Sequence, residues 1–246
     1  MSPTTAEFLG TAVLLLLGQG VVANVCLDKT KAAGNPGWLI ITTAWGLAVF
    51  VAVTMVGRFS GAHLNPAVTL GLTMAGKFDA GLVAPYVLAQ LGGAMAGSAL
   101  AYLCYRDHYR TTTDEEAVRG TFCTSPAIRS LPSNLFTEVV GTFVLVLGVL
   151  LLAKPTLSLA GGEVTEFGLG ALEALPVGLL VWVIGLGLGG PTGYAINPAR
   201  DLGPRLVFAL IPRRGKAPAD WGYAWIPVAG PLLGGAFAAW LHGALI

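Results

Sequence analysis

The chain has 246 residues, 54% of them hydrophobic and 11% charged, with 34 glycines, a formal net charge of +1 and a mean hydropathy of +0.72. A soluble domain carries roughly 25% charged residues, so this chain has too little charge to cover a water-facing surface and reads as an all-α membrane protein. Near-neutrality gives no reason to expect nucleic acid, and Cys26, Cys104 and Cys123 show neither metal-ligand nor framework spacing, so no metal and no other cofactor is expected.

A bilayer core of about 30 Å takes about 20 apolar residues per helix. Six segments qualify: 6–27, 38–57, 82–104, 133–153, 171–189 and 224–245. No Lys or Arg precedes the first, and no convincing cleavage site follows it, so it reads as a retained span rather than a signal peptide. Thr4-x-x-Glu7 fits a capping box at its start.

Between spans two and three comes Gly61-Ala62-His63-Leu64-Asn65-Pro66-Ala67-Val68-Thr69-Leu70-Gly71, then an apolar run to Met74. Between spans five and six comes Gly193-Tyr194-Ala195-Ile196-Asn197-Pro198-Ala199-Arg200-Asp201-Leu202-Gly203, then a run to Leu210. Gly, Asn-Pro-Ala, Leu and Gly recur at an offset of 132, and Glu7-x-x-Gly10-Thr11 returns as Glu138-x-x-Gly141-Thr142 at an offset of 131. The chain is a tandem duplication: repeat one spans about 1–104, a loop about 105–131, and repeat two about 132–246, all in a single transmembrane domain.

Each apolar run after Asn-Pro-Ala is about 10 residues, or about 15 Å of helix, too short to cross. Asn caps a helix and Pro suits its first turn, so each motif is a loop that enters the membrane and becomes a half-helix at the Asn. Non-helical backbone at that depth survives only inside protein or along water. Three spans per repeat, an odd number, invert the second repeat against the first. The half-helices then meet start to start near the midplane, an arrangement that builds a central site. Such an architecture makes a pore or a carrier.

The 105–131 loop mixes charges and reads as solvated surface without assigned chemistry. Gly93-x-x-x-Gly97 and Gly230-x-x-x-Gly234 fit close helix packing in membranes.

Taken together, Ala6-Glu7-Phe8-Leu9-Gly10-Thr11, the two Asn-Pro-Ala loops, Gln90 and Thr137-Glu138-Val139-Val140-Gly141-Thr142 resemble the major intrinsic protein family, the aquaporins and glycerol facilitators. Within it, Asp201 after Arg200, the stretch Gly120 to Pro126 and Pro227-Val228 look like the aquaglyceroporin branch. The resemblance implies six transmembrane helices with two re-entrant half-helices. It implies a homotetramer in the cell membrane with both termini cytoplasmic, and the compactness of the chain looks bacterial. It further implies passive conduction of glycerol, water and other small uncharged solutes while ions and protons are excluded.

Asn65 and Asn197 then donate amide hydrogens to passing oxygens. The opposed half-helix starts, each carrying about +0.5 charge, repel cations. An intramembrane Arg is costly and functional by default, and Arg200 matches the family's selectivity filter with Trp45, Gly185 and Tyr194. Two aromatics would face the carbon chain of a polyol and Arg200 its hydroxyls, with Gly185 supplying room. Tyr194 departs from the pattern, standing where glycerol facilitators commonly carry Phe. His63 reads either as pore lining or as a packed, satisfied histidine. Glu7 and Glu138 read as helix caps or as braces for loop backbone, and Gln90 and Asp201 as lining or support.

A mainly water-selective channel is the alternative. In other classes, a coupled transporter lacks a titratable relay at the midplane, an enzyme lacks a nucleophile with its base, and a closed junction protein sits poorly with Gly185. The family topology leaves Arg58, Lys77 and Lys154 inside and ten basic residues outside (Lys29, Lys31, Arg106, Arg110, Arg119, Arg129, Arg205, Arg213, Arg214, Lys216). The positive-inside rule favours the reverse; the family topology is preferred. Short tails at Met1–Thr5 and Ile246 leave little material for gating.

Overall fold

The computed structural model describes residues 1–34, 37–153, 155–158, 164–211 and 217–246, with backbone only at 158, 164 and 165. Repeat one contains α1 (Pro3–Cys26), α2 (Trp38–Ser60), the half-helix α3 (Pro66–Met74) and α4 (Val83–Cys104). The connecting loop holds two short helices, α5 (Arg106–Thr111) and α6 (Glu115–Phe122). Repeat two contains α7 (Leu131–Leu151), α8 (Leu175–Leu188), the half-helix α9 (Pro198–Leu210), the short α10 (Trp221–Ala224) and α11 (Ile226–Leu245).

Among the described residues six helices, some extended by a short turn, are long and apolar enough to cross a membrane: Pro3–Cys26, Trp38–Ser60, Ala80–Cys104, Leu131–Leu151, Gly170–Leu188 and Trp221–Leu245. They lie within a few residues of the six spans expected from hydropathy. Both half-helices start at the Pro after their Asn. An antiparallel hairpin, β1 (Thr156–Ser158) with β2 (Val164–Glu166), links α7 to α8 and was not expected. Lys154, Arg213, Arg214 and Lys216, four of the basic residues that bear on orientation, lie outside the described residues.

The capping box expected at Thr4 and Glu7 does not form. Ser2 caps α1 instead, accepting from the Thr5 N–H, because Glu7 is turned inward and buried. The 105–131 loop is also more than solvated surface. Phe122 and Cys123 are buried, and Phe122 packs with Phe208 of α9. Burial drives the Cys123 thiol pKa up to about 12, with the Asp201 carboxylate adding to the rise.

Glycine governs how closely the helices approach. A Cβ at Gly93 would stand 2.2 Å from the Phe8 carbonyl oxygen, and one at Gly97 2.1 Å from that of Ala12, so α4 lies backbone to backbone on α1. The matched pair in repeat two is α11 on α7, where a Cβ at Gly234 would stand 2.3 Å from the Val139 oxygen. The two repeats also exchange half-helices. Gly71 and Gly235 bring α3 against α11, while Gly203 brings α9 against Ala94 of α4. Gly46 and Gly178 do the same for α2 and α8 across the interface. The outer faces carry Leu47, Leu88, Phe136, Leu179 and Trp240, all exposed, as lipid-facing helices require.

Gly97→Leu is therefore expected to destabilise the protein by about 1–3 kcal/mol or more through forced separation of α1 and α4. Gly187→Leu should be neutral, since nothing lies within 4 Å of its Cβ position. Thermal unfolding of the two purified variants in detergent checks the contrast.

Candidate functional site

Each motif loop enters the core with three residues in the left-handed region, at matching positions of the two copies. Gly61, Ala62 and Leu64 have φ of 80°, 48° and 51°; Gly193, Tyr194 and Ile196 have 79°, 39° and 43°. Non-glycine residues take this conformation only when their surroundings enforce it. The enforcement is visible. Asn65 accepts from the Ala67 N–H through Oδ1, and its Nδ2 donates to the Ile196 carbonyl at 2.8 Å. Asn197 accepts from the Ala199 and Arg200 N–H groups, and its Nδ2 donates to the Leu64 carbonyl at 2.8 Å. Each Asn thus caps its own half-helix and holds the other repeat's loop. Pro66, Ala67, Pro198 and Ala199 are buried behind the two amides.

The loops' N–H groups go to two buried carboxylates. Glu7 accepts from the His63 N–H (2.9 Å), the Leu64 N–H (2.7 Å), the Ser60 hydroxyl and the Gln90 amide. Glu138 accepts from the Ala195 N–H (3.0 Å) and the Ile196 N–H (2.8 Å). Gln90 also donates to Thr69. Glu7, Glu138 and Gln90 sit behind the loops and do not line the cavity.

The cavity between the repeats has a volume of about 130 Å³. Most of its apolar lining comes from the long helices, with Leu14 of α1, Val49 and Val53 of α2, Leu145 of α7 and Val181 of α8, and the half-helix α3 adds Val68 and Leu72. The polar lining comes from the two motif loops and the start of α9: His63, Asn65, Asn197 and Arg200, with residues 61–64 and 194–196 beside them. His63 is both lining and packed. Its Nδ1 lies 3.1 Å from the Thr69 hydroxyl, and its ring stands edge-on to Phe78.

Trp45, Tyr194 and Arg200 all line this cavity. The Arg200 guanidinium lies 4.2 Å from the centre of the Trp45 ring, a cation–π contact. Among the described residues no carboxylate pairs with that guanidinium, leaving its N–H groups for the lumen. Gly185 differs from expectation, for it does not line the cavity. The Tyr194 ring fills the room beside it, with Cζ 2.8 Å from the Gly185 Cβ position. Trp38 and Thr42 complete that corner and were missed, although Trp38 lies seven residues before Trp45 and so two turns along the same face.

Asp201 points away from the lumen. It accepts from the Thr124 N–H and hydroxyl, both at 2.7 Å, and pairs with Arg205 at 2.8 Å. Arg205, expected among the exterior charges, is fully buried and also donates to the Thr124 and Ala219 carbonyls. Its i+4 spacing from Asp201 was a readable signal. Thr124, distant in sequence, offered none beyond the family-like loop around it.

The family model described as "Major intrinsic protein" matches residues 1–242. The "Probable glycerol uptake facilitator protein" of Thermotoga maritima is 52% identical over 98% of both chains. Glycerol uptake facilitator protein 3 of Lactiplantibacillus plantarum is 49% identical over 97% of this chain and 95% of its own. Among solved structures, the aquaglyceroporin from Plasmodium falciparum superposes with a TM-score of 0.81 at 33% identity. The match covers 97% of this chain and 93% of that one.

Breaking the buried pair tests the support behind Arg200. Asp201→Asn should lower stability by about 3–5 kcal/mol, since it strands a buried guanidinium. Asp107→Asn, which removes an exposed partner of Arg110, should cost under about 1 kcal/mol. Thermal unfolding in detergent compares them.

Proposed function

This chain belongs to the major intrinsic protein family, and we propose that it is a passive membrane channel for glycerol and other small uncharged polyols, with water. It is a channel rather than an enzyme. One observation carries the reading: the cavity sets apolar helix side chains beside polar loop groups, and Arg200 closes with Trp45 and Tyr194 at one point along it. A polyol has the same two-sidedness, carbons along one edge and hydroxyls along the other. Arg200 supplies donors to the hydroxyls in a setting where water is scarce, and its charge opposes cations. Asn65 and Asn197 each retain one amide hydrogen beyond the bond to the opposite loop, free to donate to an oxygen in file. The facing half-helix starts add positive potential at the same place, which breaks a proton-conducting water chain.

The relatives' names support glycerol as the solute. We place both termini in the cytoplasm and four copies in the assembly, by the family's pattern. Protease protection of a terminal tag tests the first and native mass the second.

Stopped-flow light scattering on proteoliposomes tests the function. Under an inward glycerol gradient the vesicles should shrink and then re-swell far faster than empty ones, with no re-swelling in sucrose. The rate should ignore pH, sodium and membrane potential. Rapid shrinkage without re-swelling would make this a water channel, closed to polyols at Tyr194. Tyr194→Phe should stay within about twofold of the parent, because its hydroxyl is buried with no described protein group in hydrogen-bond reach.

A further inference from the structure

Tyr194 forms part of the cavity wall, yet no polar bond of its own holds its ring. Its backbone is strained at φ 39°, and its hydroxyl finds no partner among the described residues. The ring is held from behind. Two glycines one turn apart at the end of α8, Gly185 and Gly189, leave a niche for it. A Cβ at Gly189 would stand 2.5 Å from Tyr194 Cδ1 and 2.6 Å from Trp38 Cζ2. Trp38, the first residue of α2, closes the back of that niche. Its indole stands edge-on to the Tyr194 ring, with centroids 5.8 Å apart and planes at 82°. This is a favoured aromatic geometry.

The same indole donates through Nε1 to the Gly185 carbonyl at 3.2 Å. Gly185 lies in the last turn of α8, where carbonyls run out of intrahelical donors. Trp38 therefore supplies a bond the helix end lacks and ties α2 to α8 beside the Tyr194 ring. Trp38 itself does not line the cavity and is 40% exposed on its other side.

We infer that Trp38 is a specificity-positioning residue. It holds the Tyr194 ring in the glycine niche of α8 and thereby sets the longest polyol that passes beside Arg200. The inference rests on the polyol-channel reading above. With the indole gone, the ring withdraws from the lumen into the vacated space, and four-carbon polyols gain on three-carbon ones.

The readout is the ratio of initial re-swelling rates in erythritol and in glycerol, which is independent of how much protein enters the vesicles. Trp38→Leu should raise that ratio by about threefold or more. Trp38→Phe, which keeps an aromatic edge but loses the N–H, should raise it less. If the Leu variant does not insert, the Phe variant decides alone: any rise supports the assignment. In a Tyr194→Ala background, Trp38→Leu should add nothing, since the ring through which it acts is gone.

Equal ratios in the parent and both Trp38 variants would overturn the assignment, as would an undiminished shift on top of Tyr194→Ala. A parent protein that carries water but no glycerol would overturn the channel reading itself, and this inference with it. A parent that carries glycerol while the ratio stays fixed would overturn this inference alone.

Discussion

Two loops leave helical geometry in the middle of an apolar molecule, and their peptide groups must be satisfied without bulk water. That requirement organises the rest of the structure. The Leu64 and Ile196 carbonyls accept from the opposite loop's Asn, while four loop N–H groups are taken by Glu7 and Glu138. Each repeat completes the other, because each Asn amide satisfies a carbonyl in its counterpart. A half-protein would leave Leu64 or Ile196 with a buried, unmet acceptor. The paired left-handed residues are the conformational cost of this arrangement.

Exchange of half-helices has a packing precondition. For α3 to reach α11 and α9 to reach α4, backbones must come closer than side chains permit, and Gly71, Gly235 and Gly203 stand at those crossings. The high glycine content is thus largely a contact requirement at particular crossings. In a membrane, where lipid is as apolar as the helices, such close approach is a main source of association.

The cavity lining divides by the origin of its groups. The long helices contribute most of the apolar wall, and the motif loops with the start of α9 contribute the donors and acceptors. Arg200 is aimed at the cavity partly because its neighbour is committed elsewhere. Asp201 is buried against Thr124 and Arg205, so the carboxylate that would neutralise Arg200 is consumed one step away. The 105–131 loop, which its mixed charges mark as solvated surface, supplies Thr124 to that arrangement, and α8 supplies the niche in which Tyr194 rests.

Hydropathy placed the spans, repeated spacing the duplication, and capping chemistry the half-helix starts at Pro66 and Pro198, whereas Trp45, Tyr194 and Arg200 came together only through the family resemblance. Periodicity, capping chemistry and repeated spacing are local properties, legible along the chain. Long-range contacts make Glu7 a brace for a loop rather than a helix cap, and bury Arg205. Such contacts also give the room at Gly185 to the Tyr194 ring, with Trp38 behind it. In each case the deciding partner lies far along the chain: Leu64 for Glu7, Thr124 for Arg205, Trp38 for Gly185. Whether a buried polar group is satisfied, or a glycine's space is open, depends on what folds against it, and local sequence does not encode that.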